Sequence, residues 1–456
     1  MAEDDHQRPR FTRPGFSGQD VPFYGLRFDK KGKLLSPLTQ QAVIDHIAAK
    51  GFTDTIIFSH GWNNEWDDAL DYYISFLDGV GSTATRHASD MPEGMKPLMI
   101  GLAWPSAILT WPWDRTPEIA AGYVDEEDTD EPDDIAVLTE DLSEAEAAEL
   151  RVLVAGKEEL TAEEVDRLAA LLAPSLSDAP DPADPFSVAS AEDLARTLRA
   201  PELAVSPPQT EEEEDDEDLF GSGGTIGQGA TDAQAAGLLS DVFGLRTVLR
   251  LATVLKMKDR AGVVGGRGVA DLVSGLLGQT ATRLHIVGHS YGTKVVLTAA
   301  SRATISRKLH SVLLLQPAIN HYAFAAEVLG GGQGGLRNVL GRTERPILST
   351  HSADDMPLRH VFHLAADRRR DLGEDPTFAA GVSAYSAMGG YGPAGMAPGE
   401  LQRIDMPEPE ADYPAFGDAR IIDLKASGKI KGHSKITNNY VYWAMHQNLK
   451  SGGNNG

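Results

Sequence analysis

The chain has 456 residues, with 41 Lys and Arg against 67 Asp and Glu, a net charge of −26 and no cysteine. The absence of cysteine excludes disulfides and thiolate metal sites, and no apolar run approaches the roughly 20 residues that span a bilayer. Thr116–Ala235 alone holds 34 acidic and 5 basic residues, leaving 33 acidic and 36 basic residues elsewhere; the acidity belongs to one segment, and no basic stripe invites nucleic acid.

The length suits one large α/β domain with an insertion. The N-terminus is acidic and polar with no apolar segment behind it, which predicts a soluble protein made in the cytoplasm and leaves leaderless secretion open. Residues 1–20 are rich in Pro and Arg and read as flexible. Val21–Pro37 alternates apolar residues about a Lys-Lys-Gly turn and predicts a hairpin at a sheet edge. Leu38–Lys50 reads as a helix that ends before Gly51. Thr53–Phe58 is a buried strand running into Ser59-His-Gly-Trp-Asn-Asn64, Trp66–Leu77 an amphipathic helix, and Pro97–Trp104 a second buried strand.

The rhythm breaks at Ile108–Trp113. Residues 116–235 form an acidic insertion, partly helical over Ser143–Leu172 and disordered around Glu211–Asp218, a run of eight acids. That run lacks the Asp-x-Asp-x-Asp-Gly spacing of a calcium loop and reads as solvated linker. The insertion enters after the strand Pro97–Trp104, where loops of a parallel sheet gather, which makes it a candidate cap as well as a candidate tethered module. Helices are predicted again near Ala236–Lys256 and Val269–Leu277. Strands follow at Leu284–Val287, Ser311–Leu315, Pro346–Thr350 and Arg420–Leu424, with a helix from Thr293 to Ala303 and a closing helix at Ile436–Leu449. Gly330–Gly335 and Gly381–Gly399 read as loops, and the first lacks the strand–helix setting of a dinucleotide fingerprint. Strands alternating with helices predict a mostly parallel central sheet flanked by helices.

Gly288-His-Ser-Tyr-Gly292 lies between a buried strand and a helix. This is the setting that gives G-x-S-x-G meaning: a tight turn with Ser290 at its tip, Gly288 and Gly292 giving room for the backbone, and a helix whose positive end faces the serine. A serine hydroxyl needs a base, a group to orient the base, and donors for a developing oxyanion. The base is expected after the last strand, which singles out His433; His289, His351, His360 and His363 are expected to pack or face solvent, and His446 lies in the closing helix. The acid is expected after Pro346–Thr350, where Asp354 and Asp355 both qualify. The oxyanion donors are expected to be the backbone N–H groups of Trp62 and Tyr291. No His/Asp/Glu cluster has metal spacing, and no cofactor is called for.

Phe58-Ser-His-Gly-Trp-Asn-Asn64, Ala103-Trp-Pro-Ser106, Gly288-His-Ser-Tyr-Gly292, His351-Ser-Ala-Asp-Asp355 and Gly432-His433 together resemble the α/β-hydrolase superfamily. They are closest in pattern to its lipase- and esterase-like members of poorly assigned substrate, where His-Gly-Tyr/Trp-Asn and Trp-Pro-Ser recur. The resemblance covers 21–115 and 236–456 and leaves the acidic insertion aside. It implies an α/β-hydrolase fold and a serine hydrolase acting on a small-molecule or lipid-like acyl ester. It favours Asp355 over Asp354, because the similar segment in those proteins reads Ser-x-Asn-Asp. The apolar stretch Trp104–Trp113 is read either as the border of an acyl pocket or as core. An acyltransferase or peptidase on the same residues, and a hydrolase-like fold that binds without turnover, are the competing readings.

Overall fold

The computed structural model describes residues 9–16, 19–61, 66–106, 133–175, 190–199, 242–328, 331–362 and 385–450. The chain divides into two compact units, one of residues 1–108, 177–188 and 254–456 and one of residues 109–176 and 189–253.

The first unit is α/β. Its strands in chain order are β1 (Phe11–Gly15), β2 (Gln19–Arg27), β3 (Asp54–Ser59) and β4 (Pro97–Ala103). The second unit holds two short strands, β5 (Glu159–Thr161) and β6 (Val242–Gly244). The first unit then continues with β7 (Arg283–His289), β8 (Ser311–Leu315), β9 (Ile347–His351), β10 (Leu401–Asp405) and β11 (Ile421–Lys425). Among the described residues nine strands form one sheet in the order β1-β2-β4-β3-β7-β8-β9-β11-β10. Every neighbouring pair is parallel except β1 with β2. The central strands β3, β8 and β9 are buried along their whole length, as expected for parallel strands covered on both faces.

Two helices, α1 (Pro37–Lys50) and α2 (Trp66–Arg86), precede the second unit. In that unit α3 (Asp133–Thr139), α4 (Glu144–Val154), α5 (Ala162–Leu172) and α6 (Ala191–Leu198) are followed by α7 (Leu245–Val264), which runs on into the first unit. The rest of the first unit adds α8 (Ala270–Gln279), α9 (Tyr291–Arg302), α10 (Met388–Tyr391) and α11 (Asn439–Leu449). Alternate strand residues Ile56 and Phe58, Leu313 and Leu315, and Ile422 and Leu424 share one core with Tyr73 and Phe76 of α2 and Val441 and Trp443 of α11, the two-residue period of a strand made visible.

The second unit has its own small core, including Leu150, Val165, Leu168, Leu194 and Leu198. Its helix starts are set locally: Ser143 with Glu146 and Thr161 with Glu164 form capping boxes, each satisfying two first-turn amides. The helical spacing read over Ser143–Leu172 is two helices with β5 between them. The acid run Glu211–Asp218 lies outside the described residues.

Some boundaries differ from the sequence expectation. Phe11–Gly15, read as part of a flexible tail, is the edge strand β1, held by Phe11 stacking on Phe23 at 4.4 Å. The turn Asp29–Lys33 forms, but its second arm makes a single bridge, Phe28 with Leu34; β2 sits one place in from the edge because β1 pairs along its outer side. Helix α2 runs past Leu77 to Arg86, and its Gly79 lies under the Tyr442 ring, where a Cβ would come within 2.2 Å. The helix expected at Ala236–Lys256 starts at Leu245 and reaches Val264, before a π-helical turn at Gly265–Val269. The strand β10 was not foreseen: its residues are half-buried or exposed, and Leu401 and Ile404 are separated by polar residues and form no apolar run.

At the start of β7, Arg283 donates two hydrogen bonds to the buried Asp54 of β3, both at 2.8 Å. His285 donates a third through Nε2 at 2.9 Å and accepts the Ser311 hydroxyl at Nδ1, 2.8 Å away. Burial alone would raise the Asp54 carboxyl, but the bonds from His285 and Arg283 outweigh it and hold it well below the usual carboxylate range.

Candidate active site

Strand β7 leads directly to Ser290, which stands at φ 54°, ψ −127°. A non-glycine residue held there stores about 1–3 kcal/mol of strain and persists only where the surroundings over-determine it. They do so here. Ser290 N donates to the Leu315 carbonyl at 3.1 Å, and the Ser290 carbonyl accepts from Thr293 N at 3.1 Å and Ala318 N at 3.2 Å. The glycines are dictated by close approach. A Cβ on Gly288 would lie 2.6 Å from Thr293 Cα, one on Gly292 2.2 Å from the Ser59 and His60 carbonyls, and one on Gly61 2.7 Å from Ser290 Cβ.

Because β3, β7, β9 and β11 are parallel, the chain leaves all four at the same sheet edge, and residues distant in sequence meet there. His433 Nε2 lies 2.7 Å from Ser290 Oγ, and His433 Nδ1 lies 2.8 Å from Asp355 Oδ2. Asp355 is fully buried, and its other oxygen accepts from Leu358 N at 3.0 Å. With Nδ1–H donating to the carboxylate, Nε2 presents a lone pair to the serine hydroxyl. Ser290 is 1% exposed and the His433 side chain 18%.

Asp354 is occupied elsewhere. Its Oδ2 accepts from Gly428 N at 2.6 Å, tying the loop after β9 to the loop after β11. Of the two adjacent acids, only Asp355 meets His433.

On the other side of Ser290 the His60-Gly61 turn is fixed by a buried network. His60 N donates to the Tyr73 hydroxyl at 3.0 Å, that hydroxyl donates to the Leu102 carbonyl at 2.6 Å, and His60 Nδ1 donates to the Gly61 carbonyl at 2.6 Å. Trp104 stacks on the His60 ring at 5.7 Å and donates to the His60 carbonyl at 3.3 Å. Burial lowers His60 to about 4, so it is neutral at pH 7. Trp104 is thus packed against this turn, whereas residues 107–113 lie outside the described residues. So does Trp62, the first expected oxyanion donor. The second, Tyr291, is the first residue of α9, where backbone N–H groups point out of the helix end.

The remaining histidines divide. His351 pairs with the buried Asp423 at 2.6 Å, and His446 reaches Asp90 at 3.3 Å. The His360 side chain and His363 lie outside the described residues. His289, expected only to pack or face solvent, is buried and donates from Nε2 to the His433 carbonyl at 2.9 Å. Sequence reading also passed over Gln316 and Tyr72, which touch the same loop. The one signal for Gln316 was its place directly after a buried strand next to the Ser290 strand.

Among the described residues no group of three or more His, Asp or Glu side chains could hold a metal ion, and no helix is long and apolar enough to cross a membrane. Comparison with protein-family models, with curated proteins and with solved structures finds no significant match to this chain.

Proposed function

We propose that the chain is a serine hydrolase of α/β-hydrolase type that cleaves a carboxylic ester through an acyl-enzyme. The observation that carries this reading is the unbroken hydrogen-bonded line Ser290–His433–Asp355, with Ser290 in a strained turn between a parallel strand and a helix N-terminus. In the proposed reaction Ser290 Oγ attacks the acyl carbon while its proton passes to His433 Nε2. Asp355 holds the imidazole tautomer and stabilises the imidazolium. His433 then gives the proton to the departing alkoxide, and water, deprotonated by the same ring, releases the acid. The N–H groups of Tyr291 and Trp62 are proposed to receive the oxyanion.

The preference for an ester over an amide rests on the resemblance of the His60-Gly61-Trp62-Asn63 and Trp104-Pro105-Ser106 motifs to lipase- and esterase-like proteins. The substrate is proposed as a small or lipid-like acyl ester in the cytoplasm rather than nucleic acid, because charges outside 116–235 nearly balance.

The test is labelling with a fluorophosphonate probe, followed by a series of acyl esters graded by chain length. Wild type should be modified at Ser290 and should turn over esters. Ser290→Ala should lose labelling and about 10⁴-fold or more of its activity while keeping the fold. A folded wild type that resists the probe, or one labelled at another serine, removes the proposal.

A further inference from the structure

Three consecutive carbonyls around His433 each accept a hydrogen bond from a side chain on a different element. Gln316 Nε2, just past β8, donates to Gly432 O at 3.3 Å; His289 Nε2, at the end of β7, donates to His433 O at 2.9 Å; and the Tyr72 hydroxyl, from α2, donates to Ser434 O. We infer that His289, with Gln316 and Tyr72, is a positioning residue that clamps the His433 loop so that the imidazole bridges Ser290 and Asp355; the inference rests on the hydrolase reading of those three residues.

A base carried by a loop needs such support. His433 follows β11 by eight residues, in a segment without regular structure, and Gly432 at φ 102° gives the backbone no stiffness of its own. A displacement of about 1 Å at a reacting group can cost on the order of 100-fold in rate. The clamp is braced from three sides. Gln316 is held at φ 43°, fully buried, with its N–H donating to Thr350 Oγ1 at 2.9 Å. Tyr72 stacks on the His289 ring at 6.0 Å and 13°, so two of the donors fix each other.

The donors are also in the protonation states the clamp needs. Burial and the neighbouring His433 lower His289 to about 3. It is therefore neutral, with its single proton on Nε2 where the carbonyl accepts it. This neutrality suits its place: its ring centroid is 5.2 Å from that of His433, and a cation there would oppose the charge that His433 takes up during turnover. Burial pushes the Tyr72 phenol up, so its proton stays available to donate.

A buried polar residue that merely stabilises the fold would lower the unfolding midpoint and leave the imidazole alone. The experiment separates the two in wild type, His289→Leu, His289→Gln and Tyr72→Phe. Each is measured for probe-labelling rate at Ser290, for kcat and KM on an acyl ester, for thermal unfolding, and for the downfield proton of the His433–Asp355 hydrogen bond by NMR. His289→Leu should stay folded, lose the downfield proton, and fall about 100-fold in labelling rate and kcat, with KM within about threefold. His289→Gln, whose Nε2 can still donate, should recover most of both signals. Should His289→Leu not fold, Tyr72→Phe, which removes one oxygen, carries the test with an expected loss of about tenfold. Labelling at the wild-type rate with the downfield proton intact, or Gln no better than Leu, overturns the clamp. If wild type is not labelled at Ser290, the hydrolase reading falls by itself, and the clamp is then decided by the imidazole proton alone.

Discussion

Asp354 and Asp355 are chemically identical neighbours with different employment. Asp355 is sealed from water between His433 Nδ1 and Leu358 N, and Asp354 faces the Gly428 amide. Asp355→Asn should therefore lower kcat about 10⁴-fold, since an amide neither fixes the tautomer nor stabilises the imidazolium. Asp354→Asn should leave kcat within about tenfold and lower stability by about 1 kcal/mol. Ester kinetics and urea unfolding on the two variants check both, and a reversed order of damage would move the proposed acid. The sequence offered two residues for the proposed acid, and only the resemblance ranked them, because the direction a loop side chain takes is not written in its neighbours. His289 was less legible still. Its hydrogen bond ends on a backbone carbonyl 144 residues away, and a carbonyl carries no residue identity for a pattern to detect.

Elements were legible where burial made them apolar. The strands β3, β4, β7, β8, β9 and β11 were found to within one or two residues, since parallel strands covered on both faces must be continuously hydrophobic. The edge strands β1 and β10 were not, because one side of an edge faces water and demands no pattern. The turn into α9 was legible through its glycines, and its packing makes them testable. Gly292→Ala would drive a Cβ to 2.2 Å from two carbonyls, and should cost about 3 kcal/mol by overpacking, seen as a lower urea midpoint. At the far end of the sheet, Arg345 donates to the carbonyls of Gln447 and Asn448 at 2.8 Å and of Lys450 at 2.6 Å, closing the C-terminus of α11. Charge-assisted bonds to these end carbonyls are stronger than neutral ones. Arg345→Met should lower stability by about 2 kcal/mol without changing KM, measured by the same unfolding and ester assays.

For the first unit as a whole, histidines held below their usual range are expected to contribute to the response to acid. His60 and His310 are lowered to about 4 and His289 to about 3, in each case chiefly by burial. In the unfolded chain these rings titrate near 6.5. Between that value and the folded ones, the unfolded state binds more protons than the native state, so stability rises with pH. The stability they confer is full above about pH 6.5 and is lost as pH falls toward 4, at up to about 1.4 kcal/mol per pH unit for each ring. Urea midpoints measured from pH 7.5 to 4.5 should decline steadily below 6.5, and His310→Asn should shallow the decline. A flat profile would mean that these rings take up protons in the folded protein over the same pH range as in the unfolded chain.

The strand β7 separates two tasks along its length. Its first residues anchor the buried Asp54, and its last hand the chain to Ser290; six residue steps put about 20 Å between them. Substitutions that far apart, with no shared partners, combine additively. The Arg283 end is thus an independent dial for robustness and the Ser290 end one for the proposed turnover. A variant library could tune resistance to denaturant at the first without spending activity at the second, which is the latitude a scaffold needs if its loops are to acquire new substrates.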